Sequence, residues 1–399
     1  MCLQKNESHT RVSSCSQVII LCLLFSFFSI DNEAFCQALR PIPPSDFPAF
    51  HDDFDRQSLL LAAKRQLAYL QELSAKKSCS PTDQIFTPSQ LRASINYFIQ
   101  IVEQTDELHD LSKILQEKFL VYQAVGKKVA DTFGQMLVTG YYEPTFEGSL
   151  QRESPFLYPL YAQPPDLVCR KPDHPSKSGI GRIKGRKLLP YWTREEIENR
   201  HLLAGNELIF LKDPFEAFLL HIQGSGKIRL RNGSLRAICY AASNGHPYRS
   251  IGKLLVEKKK LSLAEATLPA IEDYLRKNPE DMTRILHYNP RFIFFRWGDD
   301  TGPRGSNNTL LTAGRSIALD QQVLPAGTIG FLISRRPVFD NEGRLIKWLP
   351  LQRFVFPQDS GAAIQGPGRV DLFLGDSSKA RLSAGLMREE GTLYFLLKK

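Results

Sequence analysis

The stretch FVFPQDSGAAIQGPGRVDLFLG, residues 354–375, carries two aspartates inside a pattern that otherwise predicts β-strands. Apolar residues alternate at both of its ends, which is typical of strands with one buried face. Asp359 follows the first run, Asp371 lies within the second, and the glycines between them permit close approach of a ligand or of another chain segment. A carboxyl group among apolar neighbours has a raised pKa, as a general acid at neutral pH requires. The other interpretation is that each aspartate ends a strand or caps a turn.

A third aspartate and three glycine-containing strand ends extend this pattern. Asp320, in GRSIALDQQVLPAGT, also lies at the edge of a strand-like run. The strand ends are GYYEP at 140–144, HIQGSG at 221–226 and SNGHPYRSIGK at 243–253. Aromatic rings can stack on the apolar face of a sugar, while amide, hydroxyl and guanidinium groups bond its polar groups. The residues that suit this role are Tyr141, Tyr142, Gln223, Ser225, Asn244, His246 and Arg249. Tight turns would account for the same glycines without a ligand.

Helices are predicted mainly at the start of the chain. Leucines at helical spacing predict a helix over residues 55–73, and a third helix is predicted over 108–119. Between them, Thr87 and Gln90 form a capping box ahead of a second helix. Two further helices are predicted from the capping pairs Thr193 with Glu196 and Ser262 with Glu265, the latter continuing past Asn278-Pro279 and ending before Asn289-Pro290.

Strands are predicted for most of the chain after about residue 120. Short β-rich runs separated by glycine include MLVTGYYEP, NELIFLKDP, AFLLHIQGSGKIRL, TIGFLISRRPVF and RFVFP. Helices followed by many short strands predict a mainly β protein of the α+β class, with one or two barrel-like units.

The N-terminus has the features of an export signal. Arg11 and polar residues precede the apolar run VIILCLLFSFFSI at 18–30, which is short for a membrane span but suits the apolar part of a signal. Cys36 would be the residue for a lipid anchor, although Glu33 and Phe35 replace the aliphatic and small residues that such a site prefers. Soluble export, an uncleaved anchor and a lipoprotein all remain open.

Charge and cysteines limit the partners. A formal net charge of +9 over 399 residues suggests an anionic partner. The densest basic cluster, at 177–187, lacks the aromatic residues of a nucleic-acid surface, so no nucleic acid is predicted. Cys79, Cys169 and Cys239 lack metal-binding spacing, and neither HExxH, GxSxG nor a P-loop is present. A Cys169–Cys239 disulfide and lone thiols both remain open.

Long motifs run in register through the last two-thirds of the chain. They are MLVTGYYEP, FLLHIQGSG, YAASNGHPYRSIGKLL, NPRFIFFR and GRSIALDQQVLPAGT, followed by QDSGAAIQGPGRVDLFLG. In order and spacing they resemble the membrane-bound lytic murein transglycosylase A family over roughly residues 130–399, and the last resembles its three-aspartate domain. The resemblance implies cleavage of the β-1,4 bond between N-acetylmuramic acid and N-acetylglucosamine in peptidoglycan, leaving a 1,6-anhydromuramic end, without cofactor or metal.

The resemblance also implies an architecture. It is mainly β with N-terminal helices, in which a double-psi β-barrel is interrupted by an inserted smaller β-domain and the glycan lies in the groove between them. Residues 1–38 would be the signal segment or anchor, and 39–145 the helices and first part of the barrel. Residues 146–295 would be the insert and 296–399 the second part of the barrel. The oligomeric state remains open.

The family's functional positions map onto this sequence residue by residue. Asp359 matches the catalytic aspartate, which acts as both acid and base, while Asp320 and Asp371 match the supporting carboxylates. The implied substrate-binding residues are Thr139, Gly140, Tyr141, Tyr142, Gln223, Gly224, Ser225, Asn244 and Arg249. The chain departs from the pattern at Ala362, where a second glycine is usual.

Two other functions compete with this interpretation. A hydrolytic glycosidase on the same barrel would use Asp359 as acid and Asp371, Asp320 or Glu143 as the base for a water molecule. A non-catalytic wall-binding protein would keep the groove without activity. The chemistry of the products separates the two enzymes, and the retention of Asp359 counts against the binding protein.

Overall fold

The structure is a computed structural model that describes residues 38–73, 86–105, 111–129, 132–170, 179–263, 265–299 and 301–399. The predicted signal up to residue 37, with Cys36, and the body cysteine Cys79 lie outside these ranges. Within them, no helix combines the length and apolar character needed to cross a membrane.

Nine α-helices lie in the described ranges. They are α1 (Arg56–Leu73), α2 (Pro88–Gln104), α3 (Leu111–Lys118), α4 (Arg194–Arg200), α5 (Pro214–Gln223), α6 (Ile251–Glu257), α7 (Leu268–Lys277), α8 (Pro279–His287) and α9 (Ser378–Leu386). Thr87 and Gln90 form the predicted capping box of α2, and Thr193 and Glu196 form that of α4.

Eighteen strands are present in the same ranges, which confirms the mainly β prediction. They are β1 (Leu39–Ile42), β2 (Phe119–Ala124), β3 (Lys127–Val129), β4 (Thr132–Tyr141), β5 (Thr145–Ser149), β6 (Tyr158–Tyr161), β7 (Val168–Cys169), β8 (Ile180–Lys184), β9 (Lys187–Leu189), β10 (Glu207–Leu211), β11 (Ser225–Leu230), β12 (Leu235–Ser243), β13 (Ile293–Trp297), β14 (Ser316–Ala318), β15 (Ile329–Phe339), β16 (Leu345–Asp359), β17 (Arg369–Phe373) and β18 (Arg388–Lys398).

Six strands form a closed ring. The order β18-β15-β16-β14-β17-β4 closes on itself because β18 also pairs with β4, while β1 and β2 extend the sheet beyond β18 and β3 extends it beyond β4. The chain between β4 and β14 forms two other sheets, β13-β12-β11-β5-β10-β6 and β7-β8-β9. The barrel is thus assembled from two separate parts of the sequence.

The N-terminal helices share one aromatic core with the barrel. The ring of Phe354 lies 5.0 Å from that of Phe331 and 4.9 Å from that of Phe98 in α2, and Phe50 lies 5.1 Å from Phe331. All four side chains are fully buried. Such tilted ring pairs add about 0.5–1.5 kcal/mol to the stabilisation from burial. The segment before β2 is therefore part of the barrel's core.

Ion pairs join the barrel to the six-stranded sheet. The Nζ of Lys227 in β11 lies 2.5 Å from Asp376 Oδ2 and 3.4 Å from Glu143 Oε2. Arg381 of α9 pairs with Glu272 of α7 at 2.9 Å. These contacts fix one side of the junction between the two units.

The strand prediction for AFLLHIQ is wrong, because these residues form most of α5. The side chain of Asp213 accepts the backbone N–H of Phe215, Pro214 occupies the first helical position, and Gly224 ends the helix with φ of +79°. Most residues of α5 are buried, so their apolar run lacks a helical period. The flanking Asp-Pro and Gly were the better signal.

The predicted start of the helix after Ser262 is also wrong. Ser262 and Glu265 make the expected reciprocal hydrogen bonds, but α7 begins at Leu268 with Thr267 as its N-cap. Pro269 explains the later start, because proline fits the first turn of a helix and not its interior.

Candidate active site

Asp359 and Asp371 lie on opposite sides of the short strand β14. This strand runs parallel to β16 and antiparallel to β17, and Ala318 is opposite Asp359 in one pairing and Asp371 in the other. Two strand spacings separate the two aspartate backbones by roughly 10 Å. The barrel therefore brings together the two aspartates of the stretch that was singled out in the sequence.

The carboxylate of Asp359 accepts three hydrogen bonds. Its Oδ1 accepts the backbone N–H groups of Ser306 and Ser360, both at 2.8 Å, and its Oδ2 accepts the hydroxyl of Tyr141 at 2.9 Å. Burial raises the pKa of Asp359, and the three donors only partly offset this effect. Raising the pKa favours the protonated form that a general acid needs.

Asp371 is bonded on one side only. Thr139 of β4, its partner across the strand pair, donates a hydrogen bond to it, and Arg369 donates to the Thr139 hydroxyl at 3.2 Å. Among the described residues, the buried Oδ1 of Asp371 has no hydrogen-bond partner. Burial raises the pKa of Asp371 to about 6, and the charge of Asp359 acts in the same direction.

This raised pKa predicts a pH-dependent stability. Because the folded pKa lies above that of an unfolded aspartate, the penalty for ionising Asp371 is absent below about pH 4 and complete above about pH 6. Asp371→Asn is therefore expected to raise the melting temperature by about 1–3 °C at pH 7.5. The gain should vanish at pH 4, as calorimetry at both pH values can measure.

Asp376 provides the matched control for that measurement. Its pKa is lowered by the hydrogen bond from Lys227, so its ionised form stabilises the fold. Asp376→Asn should lower the melting temperature at pH 7.5, opposite in sign to Asp371→Asn. An equal gain for Asp371→Asn at both pH values would contradict the prediction.

Asp320 lies in the same region but binds the backbone of a loop. Its Oδ2 accepts the N–H of Gly366 at 2.8 Å and its Oδ1 accepts that of Gln322 at 3.0 Å. Gly366 has φ of +74°, a conformation that favours glycine. Asp320 thus holds the loop between Asp359 and Asp371, which supports a structural role beside the acid.

Four of the predicted substrate-binding residues come from the end of β4. Thr139 and Tyr141 touch the two aspartates directly. Gly140 is needed for packing, since a Cβ there would lie 2.6 Å from Leu374 Cδ1. Tyr142 is buried, and its backbone N–H approaches Gln223 Oε1 at 3.4 Å.

The remaining candidates divide between two places. Gln223, Gly224 and Ser225 lie together where α5 ends and β11 begins, beside Tyr142. Asn244 is buried, and its amide bonds the backbone of four other residues: Trp192, His246, Pro290 and Phe292. Arg249 is exposed and lines a separate cleft with Lys258 and His287. The structure does not bring Asn244 or Arg249 into contact with the aspartates.

Two residues of the site were missed in the sequence. Ser306, in the loop between β13 and β14, donates its N–H to Asp359, and Gln321 donates its side-chain amide to the Asp359 carbonyl at 3.1 Å. Gly305 permits this approach, because a Cβ there would overlap the carbonyl oxygen of Gln358. The two glycines and two asparagines of GPRGSNN indicate a loop, but nothing in them indicates which residue the loop contacts.

Two buried or partly buried histidines and Glu143 have structural partners of their own. His221 is buried and accepts the N–H of Ile293, and His246 contacts the Tyr191 carbonyl. Glu143, a candidate base, is buried against Lys227. Cys169 and Cys239 are free thiols, so the disulfide left open by the sequence is not formed.

The chain is similar in sequence to two known protein domains and to named enzymes. Two family models match: the MltA specific insert domain over residues 137–296 and the 3D domain over residues 315–397. The chain is 30% identical over 271 residues to membrane-bound lytic murein transglycosylase A of Escherichia coli strain K12, a match that covers 67% of each protein.

Solved structures agree with these matches. A membrane-bound lytic murein transglycosylase from Agrobacterium tumefaciens superposes with a TM-score of 0.73 at 24% identity, covering 90% of this chain and 98% of the other. MltA from Neisseria gonorrhoeae gives a TM-score of 0.64 at 28% identity, covering 90% and 92%. The shared fold therefore extends over 90% of the chain.

Proposed function

The chain belongs to the membrane-bound lytic murein transglycosylase A family, and from that premise we propose that this peptidoglycan lytic transglycosylase uses Asp359 as its single acid and base. The bond cleaved is the β-1,4 linkage between N-acetylmuramic acid and N-acetylglucosamine. The observation that carries the proposal is the state of the Asp359 carboxyl group. It lies at the end of the barrel strand β16, and burial raises its pKa.

The proposed reaction has two proton transfers. Asp359 gives its proton to the glycosidic oxygen, the bond from that oxygen to the muramic C1 breaks, and the oxygen leaves as the C4 hydroxyl of N-acetylglucosamine. The muramic C6 oxygen then bonds to C1, and its proton passes to the Asp359 carboxylate. Asp359 ends protonated and no water is consumed. Attack from within the same sugar gains the high effective molarity of an intramolecular reaction.

The supporting residues have separate proposed roles. Asp371 stays beside Asp359 with its pKa near 6, and its charge state tunes the local field. Asp320 holds the loop that follows Asp359. Gln223 and Ser225, at the junction of the barrel and the six-stranded sheet, are proposed to bond the glycan. The roles predicted for Asn244 and Arg249 stay predictions.

The proposed architecture follows the family. The closed six-stranded ring is proposed to be the double-psi barrel, with residues 39–145 and 296–399 as its two parts. Residues 146–295 would be the inserted domain, with the glycan groove between the two units. The parallel pairs β14 with β16 and β17 with β4 support this assignment, because they require crossover connections.

The proposed location is the bacterial cell envelope. Residues 1–38 would direct export or attach the enzyme to a membrane, in line with the apolar run at 18–30. The related proteins carry "membrane-bound" in their names. Glycan strands of peptidoglycan are the proposed partner, and the net charge of +9 suits an anionic polymer.

Mass spectrometry of the muropeptides released from intact sacculi tests the reaction. The purified protein is expected to release products lighter by one water than reducing muropeptides. Reducing ends would instead establish the hydrolytic glycosidase, and no release by folded protein would favour the binding protein. A metal chelator in a parallel reaction is expected to leave the yield unchanged, since no proposed step uses a metal.

A further inference from the structure

The two oxygens of the Asp359 carboxylate have different partners. Oδ1 accepts two backbone N–H groups, from Ser306 and Ser360. A backbone N–H can only donate, so a proton on Oδ1 would point at groups that cannot accept it. Oδ2 faces the hydroxyl of Tyr141 at 2.9 Å. The acid proton therefore belongs on Oδ2.

A hydroxyl is a partner that suits both states of this oxygen. It accepts a hydrogen bond from a protonated carboxyl and donates one to a carboxylate, and only the O–H bond has to rotate. Tyr141 keeps its own proton, because burial and the charges of Asp359 and Asp371 raise its pKa well above the ordinary value. The Tyr141 hydroxyl can thus change from hydrogen-bond acceptor to donor toward Oδ2 while keeping its own proton.

Tyr141 is held in place by the barrel. It ends β4 opposite Phe373 of β17, and the two rings lie 5.2 Å apart. Charged groups lie on the elements that pack against β4. β17 carries Arg369 and Asp371, and β18 carries Arg388, Glu389 and Glu390. The helix α9 carries Lys379 and Arg381, and the loop of Ser306 carries the ion pair between Arg304 and Asp299. The hydroxyl of Tyr141 contacts Asp359 itself.

We propose that Tyr141 is the positioning residue for the acid proton of Asp359. It holds that proton on Oδ2 before cleavage, and it donates its own O–H to Oδ2 once the proton has passed to the glycosidic oxygen. When the muramic C6 hydroxyl returns a proton to Oδ2, Tyr141 again accepts. This inference rests on the proposed function, and it gives Tyr141 a role other than the sugar stacking that its sequence context suggested.

Tyr141→Phe tests the inference through its pH profile. On a soluble peptidoglycan fragment, kcat is expected to fall about 10–100-fold while KM stays within about twofold. The alkaline limb of kcat/KM should move to higher pH, because the Tyr141 hydrogen bond lowers the pKa of Asp359 and its loss raises that pKa. A raised KM with an unmoved limb would indicate sugar stacking and overturn the inference. A lower kcat with an unchanged KM and an unchanged alkaline limb would indicate a structural role for Tyr141 and would also overturn the inference.

Two further variants separate this inference from the proposed function. Tyr394→Phe removes a hydroxyl from another barrel strand, β18, and should keep the wild-type rate and profile. Asp359→Asn should lose about 10³-fold in rate. If it does so while Tyr141→Phe keeps the wild-type profile, only the inference fails; if Asp359→Asn stays within about tenfold of the wild-type rate, the proposed function fails.

Discussion

Asp359→Asn is expected to lower the rate of anhydromuropeptide release by about 10³-fold at neutral pH, within the 10²–10⁴-fold range of general acid and base catalysis. The amide matches the carboxyl group in shape, so its oxygen can still accept the N–H groups of Ser306 and Ser360. Its amide protons are not acidic enough to be transferred to the glycosidic oxygen, and it has no negative charge to take a proton from the C6 hydroxyl. Both halves of the proposed reaction are therefore lost together.

A binding measurement shows whether only chemistry is lost. Asp359→Asn should sediment with sacculi as the wild-type protein does, because the groove is unchanged. Asp340→Asn is the matched control, since Asp340 lies on the β15–β16 turn and binds Arg344. It should keep full activity. Activity of Asp359→Asn within tenfold of the wild type would contradict the assignment of the acid.

Local signals in the sequence predicted much of the fold. The capping boxes at Thr87 and Thr193 marked the starts of two helices, since the groups that satisfy a helix end lie within three residues of it. The alternation around Asp359 and Asp371 predicted strands for the same local reason. Each of these features depends only on sequence neighbours.

Contacts between distant residues could not be predicted in this way. Tyr141 and Asp359 are separated by 218 positions, and Ser306 and Asp359 by 53. Their meeting depends on a ring of strands whose order does not follow the sequence. The family resemblance predicted the barrel and the grouping of the three aspartates. It did not predict that Tyr141 donates a hydrogen bond to Asp359.

Asn244 is the opposite case, in which the sequence suggested a ligand contact and the structure shows contacts within the protein. A polar residue in a glycine-containing turn suits a sugar, yet its amide bonds four backbone groups inside the second unit. Buried polar groups need such partners, and the sequence cannot show whether the partner is a ligand or the protein. Burial was the missing information.

Arg315 is a buried charged residue next to β14, the strand that lies between those of Asp359 and Asp371. It immediately precedes β14, and both it and Asp52 have fully buried side chains. Its guanidinium makes two bonds to Asp52, at 2.6 and 2.8 Å, and its three remaining bonds go to Phe354, Asp55 and Ser58. Arg315 thus connects the N-terminal segment, through Asp52 and Asp55, to the barrel strand β16, through Phe354.

Arg315→Leu is expected to lower the free energy of unfolding by about 3–5 kcal/mol, because it leaves the Asp52 carboxylate buried without its partner. Urea denaturation followed by circular dichroism measures the change. Arg344→Leu serves as the control: Arg344 is 75% exposed and pairs with Asp340 and Glu342 at the surface, so its loss should leave the urea midpoint almost unchanged.

The double variant Asp52→Leu with Arg315→Leu separates loss of the ion pair from loss of packing. If the cost of Arg315→Leu comes from the unpaired carboxylate, removing Asp52 as well should restore part of the stability, since a buried ion pair can be replaced by apolar side chains at little net cost. If the double variant is less stable than Arg315→Leu by the full effect of Asp52→Leu, the bonds to Phe354, Asp55 and Ser58 carry the stabilisation instead.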